Sequence, residues 1–331
     1  MRVADEAPSD ALAPVVLDGA MGTLLGERGF ELRSPLFSAR ALLDAPQLLV
    51  ALHLEYLRAG AQVLTTNSFN LHAGTLAGAG LGQHQAELVD ASVRVLEDAR
   101  AKVRGETPSL ARFRIAGSIP PRPRAASDTA ELARVEYGRF ASLLASAGAD
   151  LIVLETFGDA SEARLALEGI AAAELEVPVW LAVVAGAPVP KRSRPDGTRL
   201  ISGQSLDILA ELTAAGGEHR VPDALLLNCT QIDAVPAALD ALARHVPESI
   251  PLGLSPHLGK RRHDGVWIDR IVEADVYARQ IQAWIRARPR FVLAGACCGS
   301  RPAEIAAVRD LLQPGPSARE SAFVRLAALV P

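Results

Sequence analysis

Cysteine is nearly absent from this 331-residue chain, which has only Cys229, Cys297 and Cys298. An odd count with two adjacent residues makes a poor disulfide framework, so small stapled secreted folds are excluded and a reduced, cytoplasmic setting is expected. Aromatics are sparse at 4%, which leaves Leu, Val, Ile and Ala to build the core. No apolar run approaches the roughly 18 residues of a membrane span, and no signal-peptide core follows the polar, acidic stretch 1–10. Neither sign of charge dominates: 34 Lys and Arg against 38 Asp and Glu leave a net charge of -4, with no basic field for nucleic acid. HExxH and local CxxC pairs are also missing, and DGAMG is too short for a dinucleotide fingerprint.

What is present is alternation. Strands are expected to begin near Val15, Gln62, Arg114, Leu151, Pro178, Ala224, Leu252 and Phe291. Most are short runs rich in Val, Ile and Leu, without the period-two pattern of a half-exposed strand. Helical patterns separate them: one from an Asp44 cap and Pro46, with Leu48, Leu49, Leu52 and Tyr56 on one face and Gly60 at its stop. Others cover 87–103, 159–175, 232–245 and 269–288. Repeated strand–helix alternation predicts an α/β fold, a single-domain (β/α)8 TIM barrel over 14–331 behind a loose tail at 1–13, with a doubly wound sheet as the alternative. The Pro- and Arg-rich segments 119–127 and 188–197 read as surface loops.

Barrel active sites sit at the C-terminal ends of the strands. Those ends carry Asp18, Thr65 to Asn67, Glu155 and Thr156, Asn228 and Cys229, Ser255 and His257, and finally Cys297 and Cys298. All three thiols therefore fall at one face. Three thiolates with an open fourth position suit a catalytic Zn²⁺, although a vicinal pair also permits a redox switch. Asp18 and Glu155 each follow an unbroken aliphatic run, which aims a carboxylate into the barrel mouth. Beside the glycines flanking Asp18, whose amides can approach an anion, they read as a site for a zwitterionic amino acid. His257 is a weaker candidate at a strand end. His72, His84, His219, His245 and His263 fall in helix or loop context and are expected at the surface, and Trp180, Trp267 and Trp284 are too dispersed for an aromatic cage.

Taken in order, LDGAMGT (17–23), TTNSFN (65–70), LET (154–156), NCT (228–230) and GACCGS (295–300) closely resemble the homocysteine S-methyltransferase family, over about 14–314. The resemblance implies a (β/α)8 barrel with zinc on Cys229, Cys297 and Cys298. It implies Asp18 and Glu155 on the homocysteine amino group and backbone amides near Ala20 and Met21 on its carboxylate. Asn67 and Asn228, inside their motifs, are counted with the substrate-binding residues. The activity expected is zinc-dependent transfer of a methyl group to the homocysteine thiolate, forming methionine, with no nucleic-acid or membrane partner. The length is taken up by one barrel, so the donor is expected to be small and already activated: S-methylmethionine, or secondarily S-adenosylmethionine. Betaine is expected to serve poorly, because only Phe69 and Phe157 lie just past strand ends. Alternatives are another small thiol or selenol as acceptor, or a non-catalytic redox or metal-sensing barrel. GSIPPRPR, WLAVVAG and SPHLG depart from the family pattern and point to a changed donor side.

Overall fold

Every one of the eight aliphatic runs forms a strand in the computed structural model, which describes residues 12–123, 129–187, 195–261, 267–268 and 272–331. The strands are β1 (Val15–Val16), β2 (Val63–Thr65), β3 (Arg114–Ile119), β4 (Leu151–Phe157), β5 (Val179–Val183), β6 (Ala224–Gln231), β7 (Leu252–His257) and β8 (Phe291–Ala294). They pair in parallel in the order β1-β8-β7-β6-β5-β4-β3-β2. The two ends meet where Leu17 bridges Val63, Gln62 N donates to Val16 O at 2.7 Å and Asp18 N donates to Val63 O at 3.1 Å. The sheet thus closes into a (β/α)8 barrel, and the doubly wound alternative falls.

Around it run α1 (Met21–Glu27), α2 (Pro46–Ala59), α3 (Gln85–Glu106), α4 (Ala130–Ala147), α5 (Ala160–Ala172), α6 (Val235–His245), α7 (Ala274–Arg286), α8 (Pro302–Leu312) and α9 (Gly315–Leu329). The α2 start differs from expectation. Asp44 ends a short preceding helix, where Arg40 Nε holds its carboxylate at 2.7 Å, and Ala45 is the cap. Asp159 caps α5, accepting from the amides of Ser161 and Glu162. Gly60 and Gly148 end α2 and α4 at φ of 103° and 105°, a left-handed conformation that costs glycine least. Between β5 and β6 the outer layer thins to the turn Leu209–Leu212, preceded by a hairpin of Ala185–Ala187 with Asp196–Leu200. The expected loop 188–197 is thus partly strand; 188–194 lie outside the described residues, as do 124–128 and the tail 1–11.

Side chains alternate between two cores. Outward-facing strand residues such as Ile115, Leu154 and Leu225 pack against the helices. Inward-facing ones, including Val15, Val153, Trp180, Leu226 and Leu293, fill the barrel. The barrel's lower end is plugged by Leu326 of α9 and by Val330, which join this inner cluster. Arg114 donates to Val330 O at 3.0 and 3.2 Å and fastens the plug. His72 and His219 are buried rather than solvated, with ring nitrogens 2.7 Å from Pro120 O and 3.1 Å from Leu212 O. His263 lies outside the described residues.

Candidate metal and substrate site

The three thiols, separate in sequence, meet at the upper end of the barrel. Cys229 Sγ lies 3.8 Å from Cys298 Sγ, Cys297 Sγ lies 3.9 Å from Cys298 Sγ, and all three fall within 4.8 Å of one another. Zinc–sulfur bonds of about 2.3 Å at tetrahedral angles place sulfurs about 3.8 Å apart, so the donor set and its spacing fit that ion. Hydrogen bonds from the thiols of Cys229 and Cys297 hold Cys298 well below the usual thiol range, so the cluster favours a thiolate even by itself. The Cys297–Cys298 loop is anchored from behind. Cys297 N donates to Pro256 O at 3.0 Å and Leu258 N to Cys298 O at 3.0 Å. Tyr277, fully buried on α7, donates to Gly295 O at 2.7 Å.

Asp18 and Glu155 stand in the same mouth. Thr65 donates to both Asp18 oxygens, from its amide at 2.8 Å and its hydroxyl at 3.1 Å. Ser118 Oγ donates to Glu155 Oε1 at 2.5 Å. Neither carboxylate has an ion pair among the described residues. Burial pushes Asp18 up to about 7 against the pull of the Thr65 hydrogen bonds, and the charge of Glu155 adds to the rise. Glu155 also rises to about 7, again by burial first, with Ser118 opposing and Cys298 adding. Two desolvated acids without a cation form a site that a positive ligand stabilises.

A cavity of about 400 Å³ connects these groups. Its walls include Asp18, Ala20, Met21, Asn67, Glu155, Asn228, Cys229, Cys297 and Cys298, so the structure brings the metal and substrate candidates together and leaves out only the weaker candidate His257. Three of them are already committed to the protein. Ala20 N donates to Ser300 Oγ at 2.9 Å, Asn67 Nδ2 donates to Ser38 O at 2.8 Å, and the Asn228 amide is bonded to Thr156. No side chain among the described residues caps the first turn of α1, whose leading amides, Met21 and Gly22, have no partner within the helix. Gly19 is required here, since a Cβ would fall 2.4 Å from Ser300 Oγ and 2.9 Å from Tyr56 Oη.

Several wall residues carried no signal in the sequence. Phe37 and Leu32 come from the segment between α1 and α2, which has no periodicity, and Trp180 joins the wall from β5. Phe157, expected near the mouth, faces the outer core instead. His257 is buried with Nδ1 accepting from Gly259 N at 2.6 Å, and it is not part of the cavity wall. Of the three departing segments, Ala182 and Ser255 reach the cavity, while 119–123 do not. Arg122 there is buried, with Nη1 2.9 Å from Glu136 Oε2.

A (β/α)8 barrel with a three-cysteine cluster beside two buried acids at one end is the arrangement of an enzyme site, and comparison with known proteins identifies the family. The model of the family described as homocysteine S-methyltransferase matches residues 15–312. The chain is 32% identical to homocysteine S-methyltransferase of Escherichia coli over 312 residues, covering 89% of this chain and 94% of that protein. It is 25% identical over 328 residues to selenocysteine Se-methyltransferase of Brassica oleracea var. italica, covering 90% and 88%. The crystal structure of the Escherichia coli homocysteine methyltransferase MmuM in its metallated form superposes with a TM-score of 0.71 at 28% identity, covering 91% of this chain and 96% of that one. This chain belongs to the homocysteine S-methyltransferase family. It is a methyltransferase whose family acts on homocysteine.

Proposed function

We propose that the protein moves a methyl group from a small sulfonium donor, S-methylmethionine or S-adenosylmethionine, to homocysteine, at a zinc held by Cys229, Cys297 and Cys298. The observation that carries this reading is the three-sulfur triangle opening into the same cavity as Asp18 and Glu155. Bound zinc supplies Lewis acidity that brings a thiol with an ordinary pKa near 8.5 to its thiolate at neutral pH. Asp18 and Glu155 take the substrate ammonium, and the ammonium in turn keeps both acids ionised. The open amides of Met21 and Gly22 face the substrate carboxylate. The thiol thus releases its proton to solvent, the resulting thiolate sulfur gains the methyl carbon, and the donor's S–CH3 bond breaks with its electron pair staying on the donor sulfur to leave a neutral thioether.

The donor side is apolar. Phe37, Phe69, Leu32 and Met21 line the cavity, and Asp18 and Glu155 are the acidic residues in its wall. A sulfonium loses its charge in the transition state, so poorly solvating walls favour transfer, and a neutral thioether leaves readily. A trithiolate site persists where thiols stay reduced, which supports a cytoplasmic setting. A selenol acceptor is the second reading, supported by the similarity to selenocysteine Se-methyltransferase.

The test is a side-by-side assay of S-methylmethionine, S-adenosylmethionine and betaine with homocysteine, together with metal analysis of reduced protein. Methionine from either sulfonium and about one zinc per chain are expected. Betaine ahead by tenfold or more would overturn the donor assignment, and metal-free active protein would overturn the zinc site.

A further inference from the structure

Two strands of the barrel each present two consecutive residues to the cavity. On β4 these are Glu155 and Thr156, and on β6 they are Asn228 and Cys229. Ordinary strand alternation allows only every second residue to face inward. Both strands break it with an irregularity. The β4–β5 pairing slips between Leu154 and Phe157, and the β6–β7 pairing slips between Asn228 and Gln231. Thr156 and Cys229 take φ of 67° and 45°, a region that side chains with a Cβ rarely enter and that β-branched threonine enters at most cost.

Such strain persists only where surrounding contacts over-determine it. The contact here is made by Asn228. Its Oδ1 accepts from Thr156 N at 3.2 Å, and its Nδ2 donates to Thr156 Oγ1 at 3.3 Å. Both ends of one buried amide are therefore spent on one residue, reached past the end of the intervening β5. The pair joins the residue after the ammonium-binding carboxylate to the residue before a cysteine of the cluster.

We propose that Asn228 is a positioning residue: it holds Thr156 in its left-handed bulge and so places the Glu155 carboxylate against the substrate ammonium, without touching substrate itself. This rests on the homocysteine reading above.

The experiment compares zinc-loaded wild type, Asn228→Ala, Thr156→Val, Thr156→Ser and the Asn228→Ala/Thr156→Val double variant, with folding checked by circular dichroism. Each binds homocysteine and 4-sulfanylbutanoate, which has the thiol and carboxylate but no ammonium. Wild type is expected to prefer homocysteine. Asn228→Ala should cut that preference by roughly tenfold, through weaker homocysteine binding and a higher KM rather than a lower kcat. Thr156→Val should lose part of it, and Thr156→Ser, which keeps the hydroxyl, should retain it. The double variant should be no worse than Asn228→Ala, since both changes break one pair. Equal weakening of both ligands, multiplied losses in the double variant, or an Asn228→Ala protein with its preference intact would overturn the assignment. A wild type without any preference would instead sink the ammonium site, and this inference with it.

Discussion

Asp18 shows how a single side chain is set by its surroundings. Burial raises its carboxyl to about 7, so in the substrate-free protein it is largely neutral below that pH and charged above it. Glu155 behaves alike. An ammonium is attracted only to the charged forms, so homocysteine affinity is expected to strengthen as pH rises through about 7. Asp18→Asn removes one of the titrating acids and should flatten that profile while weakening binding by about 1.5–3 kcal/mol, the worth of a charge-assisted hydrogen bond. Calorimetric titration from pH 5.5 to 8.5 checks both, and zinc content should be unchanged. An unaltered profile in the variant would mean that Asp18 does not meet the ammonium.

A helix outside the barrel reaches the candidate metal site through one hydroxyl. Tyr277 of α7 donates to Gly295 O and lies 3.3 Å from Pro256 O, two carbonyls that flank the Cys297–Cys298 loop. Tyr277→Phe keeps the ring packed and removes only that bond, worth about 1 kcal/mol. The loop should then sample more positions and zinc affinity should fall roughly fivefold, as measured by chelator competition. Thermal stability should drop only slightly. Zinc affinity identical to wild type would show that the loop holds its shape without the hydroxyl. The same helix was legible in the sequence as a pattern over 269–288, yet nothing in that pattern marked Tyr277 as anything but core.

The barrel divides its work between its ends. The upper end carries the cavity, and the lower end is sealed by α9 through Leu326 and Val330. Leu326→Ala should destabilise the protein by about 2–5 kcal/mol, because the plug cannot close over the cavity left behind. The homocysteine KM should stay at the wild-type value, since the change lies at the opposite end from the site. A denaturant melt with steady-state kinetics separates the two effects. A change in KM would show that the plug sets strand positions throughout the barrel.

The eight strands, the alternation and the location of all three thiols at strand ends were legible because buried parallel strands read as unbroken aliphatic runs. Local chemistry was legible too where it depended on near neighbours, as with Gly60 stopping α2. Asp44 does not cap α2, because Arg40, one turn back, holds its carboxylate and Ala45 takes the cap position. Tertiary structure alone decided the rest. Phe37 enters the cavity wall from an aperiodic segment, and Trp180 joins it from a strand read only as apolar. The committed amides of Ala20, Asn67 and Asn228 bond to residues far away in the chain. The slips at Thr156 and Cys229 put adjacent residues on one face, against the period-two rule that guides any reading of a strand. Hydrophobic patterning is written residue by residue, but a hydrogen bond between Asn228 and Thr156, 72 positions apart, exists only once the barrel has closed.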